Sequence, residues 1–387
     1  MNLLEKLLKE NHLKTDTSSF RTDESGLHYS FEQGLEVSML YNNKPDGRFQ
    51  ISQFEAFLVE TKDTRESSSF MLSLSKQRKV GYIFPTSALS SFEYLPDDEW
   101  AITYASFALQ FLVHDVNFIQ HAKLPILHEP YEFSISSFYA EKFAVVILGK
   151  ESLTKYAIDT NQVKLMLMEY GYYSCERISI PNLYCELNYN PEFVGRLIIG
   201  ETSPDIDHEL SSKLEWLLST SLREDNPFSC FMTLYQVIES LSIKVFNACI
   251  EVIKDNDVID NPWNLKEKLS KVTNEKQRLN LLFHDFLKSG IEPDILDPLR
   301  SKCTTFLSNH NLIKTELKTA IEAFYKVRNT IVHRQIELNP KAYSELRDIN
   351  VLLYDLCFHL IKNFDMQKGQ EGYKKRLVTE ETQEVEN

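Results

Sequence analysis

Leu234-Tyr235-Gln236-Val237-Ile238-Glu239-Ser240-Leu241 lies in the middle of a run, from Asn226-Pro227 to about Lys254, that decides the architecture of the second part of the chain. Phe231, Leu234, Tyr235, Ile238, Leu241, Val245, Phe246, Cys249 and Val252 recur at helical spacing and cover much of the circumference. A helix apolar on so many sides has to be surrounded by others, so the run predicts the centre of a helical bundle. Pro227 suits the first turn, where a missing N–H is no loss.

Outward from this run the helical period persists. After Ser203-Pro204-Asp205, Leu210, Leu214, Leu217 and Leu218 stripe one face of an earlier helix. Shorter helices are predicted near Trp263 to Val272, Lys276 to Lys288 and Ile295 to Phe306. Another runs from about Lys314 to Val332, and Asn339-Pro340 opens a last one with Leu346, Ile349, Leu353, Leu356 and Leu360 inward. Beyond Phe364 the chain is charged and poor in apolar residues, and disorder is expected.

Between Gly26 and about Gly200 the dominant period is two. Strands are predicted at Leu27 to Phe31, Leu35 to Leu40, Phe49 to Leu58, Phe70 to Ser73, Val80 to Phe84, Tyr131 to Phe138, Phe143 to Leu148, Val163 to Tyr170, Leu183 to Tyr189 and Val194 to Ile199. Asn42 to Gly47, with Pro45 and Gly47, reads as a hairpin turn. One helix interrupts, about Asp97 to His114, with Asp97 and Asp98 suited to its start. The expected fold is therefore α+β in two domains: a β-rich domain over residues 1–204 and an all-α bundle over 205–365, followed by a disordered tail over 366–387.

Composition narrows the function classes. The 387 residues suffice for two cores. The net charge of −14 argues against broad electrostatic capture of nucleic acid. Residues 1–224 carry about −12 and 225–387 about −2, while 261–334 are locally positive, so RNA would have to be held in a local basic cleft. No apolar run reaches membrane-spanning length, and Met1 to His12 lacks the apolar core of a signal peptide, which places the chain in the cytoplasm.

Six cysteines without a CxxC pair argue for reduced core thiols rather than zinc or disulfides. His114, His121 and His128 recur at intervals of seven beside Asp115, but Pro125 breaks any helix through them. Dispersed structural histidines are the better account, and neither a metal nor another cofactor is expected. With 11 glycines and no phosphate-cradling loop, nucleotide-loop enzymes are disfavoured. Lys76-Gln77-Arg78-Lys79 reads as a solvated hairpin edge.

The chemistry concentrates in Arg328-Asn329-Thr330-Ile331-Val332-His333. A permanent cation, an amide and an imidazole fall within one and a half turns of an otherwise apolar helix. Cleaving a phosphodiester without metal needs a fixed positive charge for the phosphorane and a base near neutral pH. Arg21 with His28 and Arg278 with His284 have similar spacing, but neither has a polar residue and a preceding apolar stripe in the same arrangement. Residues five apart on a regular helix point about 140° away from each other. Either the β-branched run Thr330-Ile331-Val332 loosens the last turn, or the pair faces a second copy. Glu239, a carboxylate among apolar neighbours, needs a partner, and Arg328 is the candidate. The plain structural alternative is a helix-end charge and a capping imidazole.

The Arg328 to His333 string resembles the signature of HEPN domains. Tyr235-x-x-x-Glu239, about ninety residues earlier, is similar to the step at the same relative place in ApeA-like HEPN families. The resemblance covers about residues 205–365. It implies a homodimer whose paired helices form a composite cleft and cleave RNA by attack of the ribose 2′-hydroxyl, leaving 2′,3′-cyclic phosphate and 5′-hydroxyl ends. His333 would act as base or acid, Arg328 would stabilise the phosphoryl charge, Asn329 would orient the histidine or phosphate, and Glu239 and Tyr235 would support Arg328. Anti-phage defence by abortive infection, with a phage-derived or cellular trigger at the first domain, is the implied role. The alternative is a non-catalytic HEPN-like module that binds RNA or protein.

Overall fold

The computed structural model describes residues 3, 18–23, 26–31, 36–40, 49–61, 69–90, 95, 100–123, 132–175, 196–203, 205–256, 262–335 and 338–385. Among these, one compact unit ends at Glu201 and a second begins at Thr202. The architecture is α+β: a sheet-containing first unit and a helical second one. The expected hairpin turn at Asn42 to Gly47, the strand at Leu183 to Tyr189 and the helix-start aspartates Asp97 and Asp98 lie outside the described residues.

In the first unit β1 (Ser18–Asp23), β2 (Gly26–Phe31), β3 (Glu36–Leu40) and β7 (Glu132–Ser134) make a four-stranded sheet in that order. The larger sheet has the order β10-β5-β6-β8-β4-β9, from β4 (Phe54–Thr61), β5 (Phe70–Ser73), β6 (Lys79–Pro85), β8 (Phe143–Gly149), β9 (Tyr172–Ser174) and β10 (Arg196–Ile198). Strand β8 is buried along its whole length, which fits its continuous apolar sequence and its place between β6 and β4. At Gly81 of β6 a Cβ would lie 2.1 Å from the Ile147 carbonyl oxygen, so only glycine permits this approach to β8. Helix α1 (Ala101–His114) lays Ala105, Ala108, Leu109 and Leu112 into one core with Phe54, Tyr82, Phe84, Val145 and Ile147. The short helices α2 (Val116–Ile119) and α3 (Lys150–Tyr156) follow α1 and β8.

Three strand expectations need correction. Val163 to Tyr170 is not a strand: Thr160–Met168 forms helix α4, nucleated by a capping box in which Asp159 and Gln162 bond each other's backbone N–H groups. Phe49 to Leu58 begins with a 3-10 turn, Ile51–Gln53, before β4. Tyr131 to Phe138 shortens to β7 followed by another such turn, Ile135–Ser137.

The second unit contains α5 (His208–Arg223), α6 (Pro227–Asn256), α7 (Pro262–Thr273), α8 (Glu275–His284), α9 (Pro293–Asn309), α10 (Ala320–Arg334), α11 (Ala342–Asn363) and α12 (Met366–Val385). Helix α6 is packed by α5, α7, α8, α11 and α12, which its apolar circumference demands. Cys357 of α11 contacts the Leu234 carbonyl and the Asn350 amide donates to the Pro227 carbonyl at 2.9 Å, fastening α11 along α6. His310, its side chain fully buried, lies 3.1 Å from Glu345 through Nε2 and accepts the Asn339 backbone N–H at Nδ1 (3.2 Å).

The expected disorder beyond residue 365 is also corrected, since Met366–Val385 is helical. Tyr373 and Leu377 are buried, and Arg376 bonds Asp285 at 2.8 Å. Gly369 meets the Phe286 ring where a Cβ would come within 2.2 Å, so the helix backbone itself covers that ring. Few apolar residues suffice here because each is aimed at a prepared surface.

The described cysteines Cys175, Cys230, Cys249, Cys303 and Cys357 are buried. Burial pushes the Cys249 thiol up to about 12, which keeps it protonated and unreactive. Among the described residues no group of three or more His, Cys, Asp or Glu is arranged to hold a metal ion, and no helix is long and apolar enough to cross a membrane. His128 lies outside the described residues; His114 ends α1, and His121 follows α2 with its ring 6.2 Å from that of Phe143.

Candidate active site

Helix α10 starts at Ala320, about six residues later than the period alone suggested, and is capped by Thr319, whose hydroxyl accepts the Glu322 N–H. Its buried stripe, Ile321, Phe324, Val327 and Ile331, turns Arg328 toward α6 and the first turn of α8. There Tyr235 and Glu239, one turn apart on α6, meet Glu275 on α8. Arg328 Nη2 lies 3.4 Å from Glu239 Oε1 and 3.8 Å from Glu275 Oε1. Nη1 donates to the Asn329 side-chain oxygen at 3.0 Å, and the guanidinium carbon stands 5.5 Å from the centre of the Tyr235 ring. The Tyr235 hydroxyl donates to Glu275 at 2.9 Å.

The partner expected for Glu239 is therefore the one it has. Glu275 was not foreseen. Its signal lay in Asn274-Glu275, where Asn274 caps α8 and a carboxylate suits the first turn. Tyr235, fully buried, also required an acceptor that the sequence alone could not locate. Two carboxylates, a cation and a phenol thus occupy one half-buried junction of three helices.

Electrostatics follow from this crowding. Burial, then the charge of Glu275, holds the Tyr235 phenol far above its usual range, so it remains a donor. Burial and the neighbouring Glu275 also raise the Glu239 carboxyl, against the opposing pull of Arg328. An acid raised above its unfolded value of about 4.3 contributes stability below that pH and loses it as pH rises through the folded value. Glu239→Gln, neutral throughout, is therefore expected to gain in melting temperature relative to the wild type as pH increases from about 4 to 7. Thermal unfolding across that range checks this; a gap that stays constant or moves the other way would mean that Arg328 outweighs burial and Glu275.

Asn329 is half-buried beside Arg328, whereas His333 is exposed in the last turn. Among the described residues His333 makes no hydrogen bond or ion pair. The helix continues unbroken through Arg334, so the β-branched run does not unwind it and Arg328 and His333 stay on different faces. The structure brings Arg328, Asn329, Glu239 and Tyr235 together; it does not bring His333 to them within one chain. Arg278, which has a similar spacing to His284, bonds the Val272 and Thr273 carbonyls and Ser242, fixing the α7–α8 corner. No family model, no curated protein and no solved structure matches this chain.

Proposed function

We propose that the second unit is an endoribonuclease of HEPN type that cleaves RNA without a metal and acts as a homodimer. His333 takes the proton of a ribose 2′-hydroxyl, the 2′-oxygen attacks its own phosphorus, and the bond to the 5′-oxygen breaks as the second copy's histidine protonates it. A 2′,3′-cyclic phosphate and a 5′-hydroxyl result. Arg328 faces the charge that builds on the phosphoryl oxygens, and Asn329 orients the phosphate. The carrying observation is the anchoring of Arg328 by Glu239, Asn329 and Tyr235, with an exposed imidazole on another face of the same helix. Val332 is 46% exposed next to His333, an apolar contact suited to a facing copy. A cytoplasmic location, a role in anti-phage defence by abortive infection and a trigger acting on the first unit belong to the same proposal and rest on the family resemblance.

A second reading, a non-catalytic RNA- or protein-binding module, is favoured by one observation: Glu239 and Glu275 already lie against the charge of Arg328. Incubating the full chain with total RNA in EDTA and mapping the new termini separates the two. New 5′-hydroxyl ends are expected; 5′-phosphate ends would indicate metal chemistry, and RNA bound but intact would favour the binding module.

A further inference from the structure

The first unit contains a cleft that the ribonuclease chemistry does not use. Its walls come from the starts of α1, β4, β6 and α3 and the end of β8, and it has a volume of about 410 Å³. Phe49, Phe54, Trp100 and Tyr104 supply aromatic faces, while Lys79 and Lys150 supply charge. The rings brace one another: Phe49 and Trp100 meet edge to face at 5.5 Å, and Phe54 and Tyr104 at 4.9 Å. A second hollow of about 360 Å³ shares Lys79 and Trp100 and adds Lys76 and Arg196. Its guanidinium is tied in place by an Nη1 bond to the Lys76 carbonyl at 2.9 Å.

Lys79 stands where the two hollows join. Its ammonium donates to the Tyr82 hydroxyl and lies 4.4 Å from the centre of that ring and 5.8 Å from that of Tyr104, so its position is set before any ligand arrives. Gly149 leaves room for the Tyr104 hydroxyl, which would be 2.9 Å from any Cβ there. Among the described residues that line the joined hollows, four are cations, Lys76, Lys79, Lys150 and Arg196, and one is a carboxylate, Glu151.

Aromatic walls accept a flat ring by stacking, and neighbouring fixed cations accept phosphate. The first hollow is within the size range of sites that enclose one small molecule. We propose that this cleft binds a nucleotide, its base against Trp100 and Phe49 and its phosphates toward Lys79, Lys76 and Arg196. The attraction is by stacking and point charges, which is consistent with a chain that lacks a glycine-rich phosphate loop. It stands independently of the nuclease reading.

Calorimetric titration of the full chain with ATP, adenosine and a single-stranded hexauridylate tests it. ATP is expected to bind with micromolar affinity, at least about tenfold tighter than adenosine, which keeps the ring but lacks the charge. Trp100→Ala and Lys79→Met are each expected to weaken ATP by about tenfold or more. Lys150→Ala, at an exposed position whose loss leaves the fold intact, is expected to weaken it about threefold with an unchanged melting curve. The proposal is overturned by absence of ATP binding at about 1 mM, by adenosine binding as tightly as ATP, by ATP affinity indifferent to all three substitutions, or by preference for the oligonucleotide.

Discussion

His333→Ala is expected to reduce RNA cleavage by about 10²- to 10⁴-fold, the range that a positioned acid or base contributes. The melting temperature should scarcely move, because the imidazole is exposed and makes no hydrogen bond or ion pair among the described residues. Surface substitutions of this kind usually change stability by less than about 0.5 kcal/mol. That separation between activity and stability is what distinguishes a chemical group from a helix-end charge. Cleavage of a defined RNA in EDTA, with the variant's unfolding curve alongside, measures both. Undiminished cleavage by a correctly folded variant would remove His333 from the chemistry, and a large loss of stability would make it structural.

Phe324→Ala should have the largest effect on folding, about 3–5 kcal/mol. Phe324 is fully buried on α10, with its ring 6.0 Å from Tyr235 on α6 and 5.8 Å from Phe283 on α8. Removing it opens a cavity at the junction that also holds Arg328, Glu239 and Glu275, whose geometry depends on the three helix axes. Urea denaturation reads the loss as a lower midpoint with an unchanged slope. Phe324→Leu, which keeps much of the volume, should recover a substantial part. A loss below about 1 kcal/mol for the alanine variant would mean that neighbouring side chains close the gap.

Periodic elements were legible wherever one face is buried and the other wet, or wherever apolar residues ring a long helix. Helix α5, with Leu210, Leu214, Leu217 and Leu218 buried on one face, and helix α6 belong to those cases. The segment Val163 to Met168 misled because all six residues are buried, including Lys164 with its ammonium 5.1 Å from the centre of the Phe57 ring. A wholly buried short run has no readable period, and only the Asp159/Gln162 cap revealed the helix. Charge density misled at α12, since Tyr373 and Leu377 are few but well placed. At the candidate site the Arg328–Glu239 pairing was legible, as a carboxylate among apolar neighbours obliges a counter-charge. Glu275 was not, because no spacing rule joins the first turn of one helix to the middle of another.

The His310 ring has a topological consequence for the helix that bears the motif. The chain passes His310, traverses residues 311–338 including α10, and returns to the same imidazole at Asn339 and Glu345. Nδ1 accepts the Asn339 backbone N–H and Nε2 faces Glu345, so one ring clasps both feet of an excursion that carries Arg328 and His333. A clasp at the neck shortens the free contour that α10 would otherwise sample, and the motif is displayed on a closed loop rather than on a free arm.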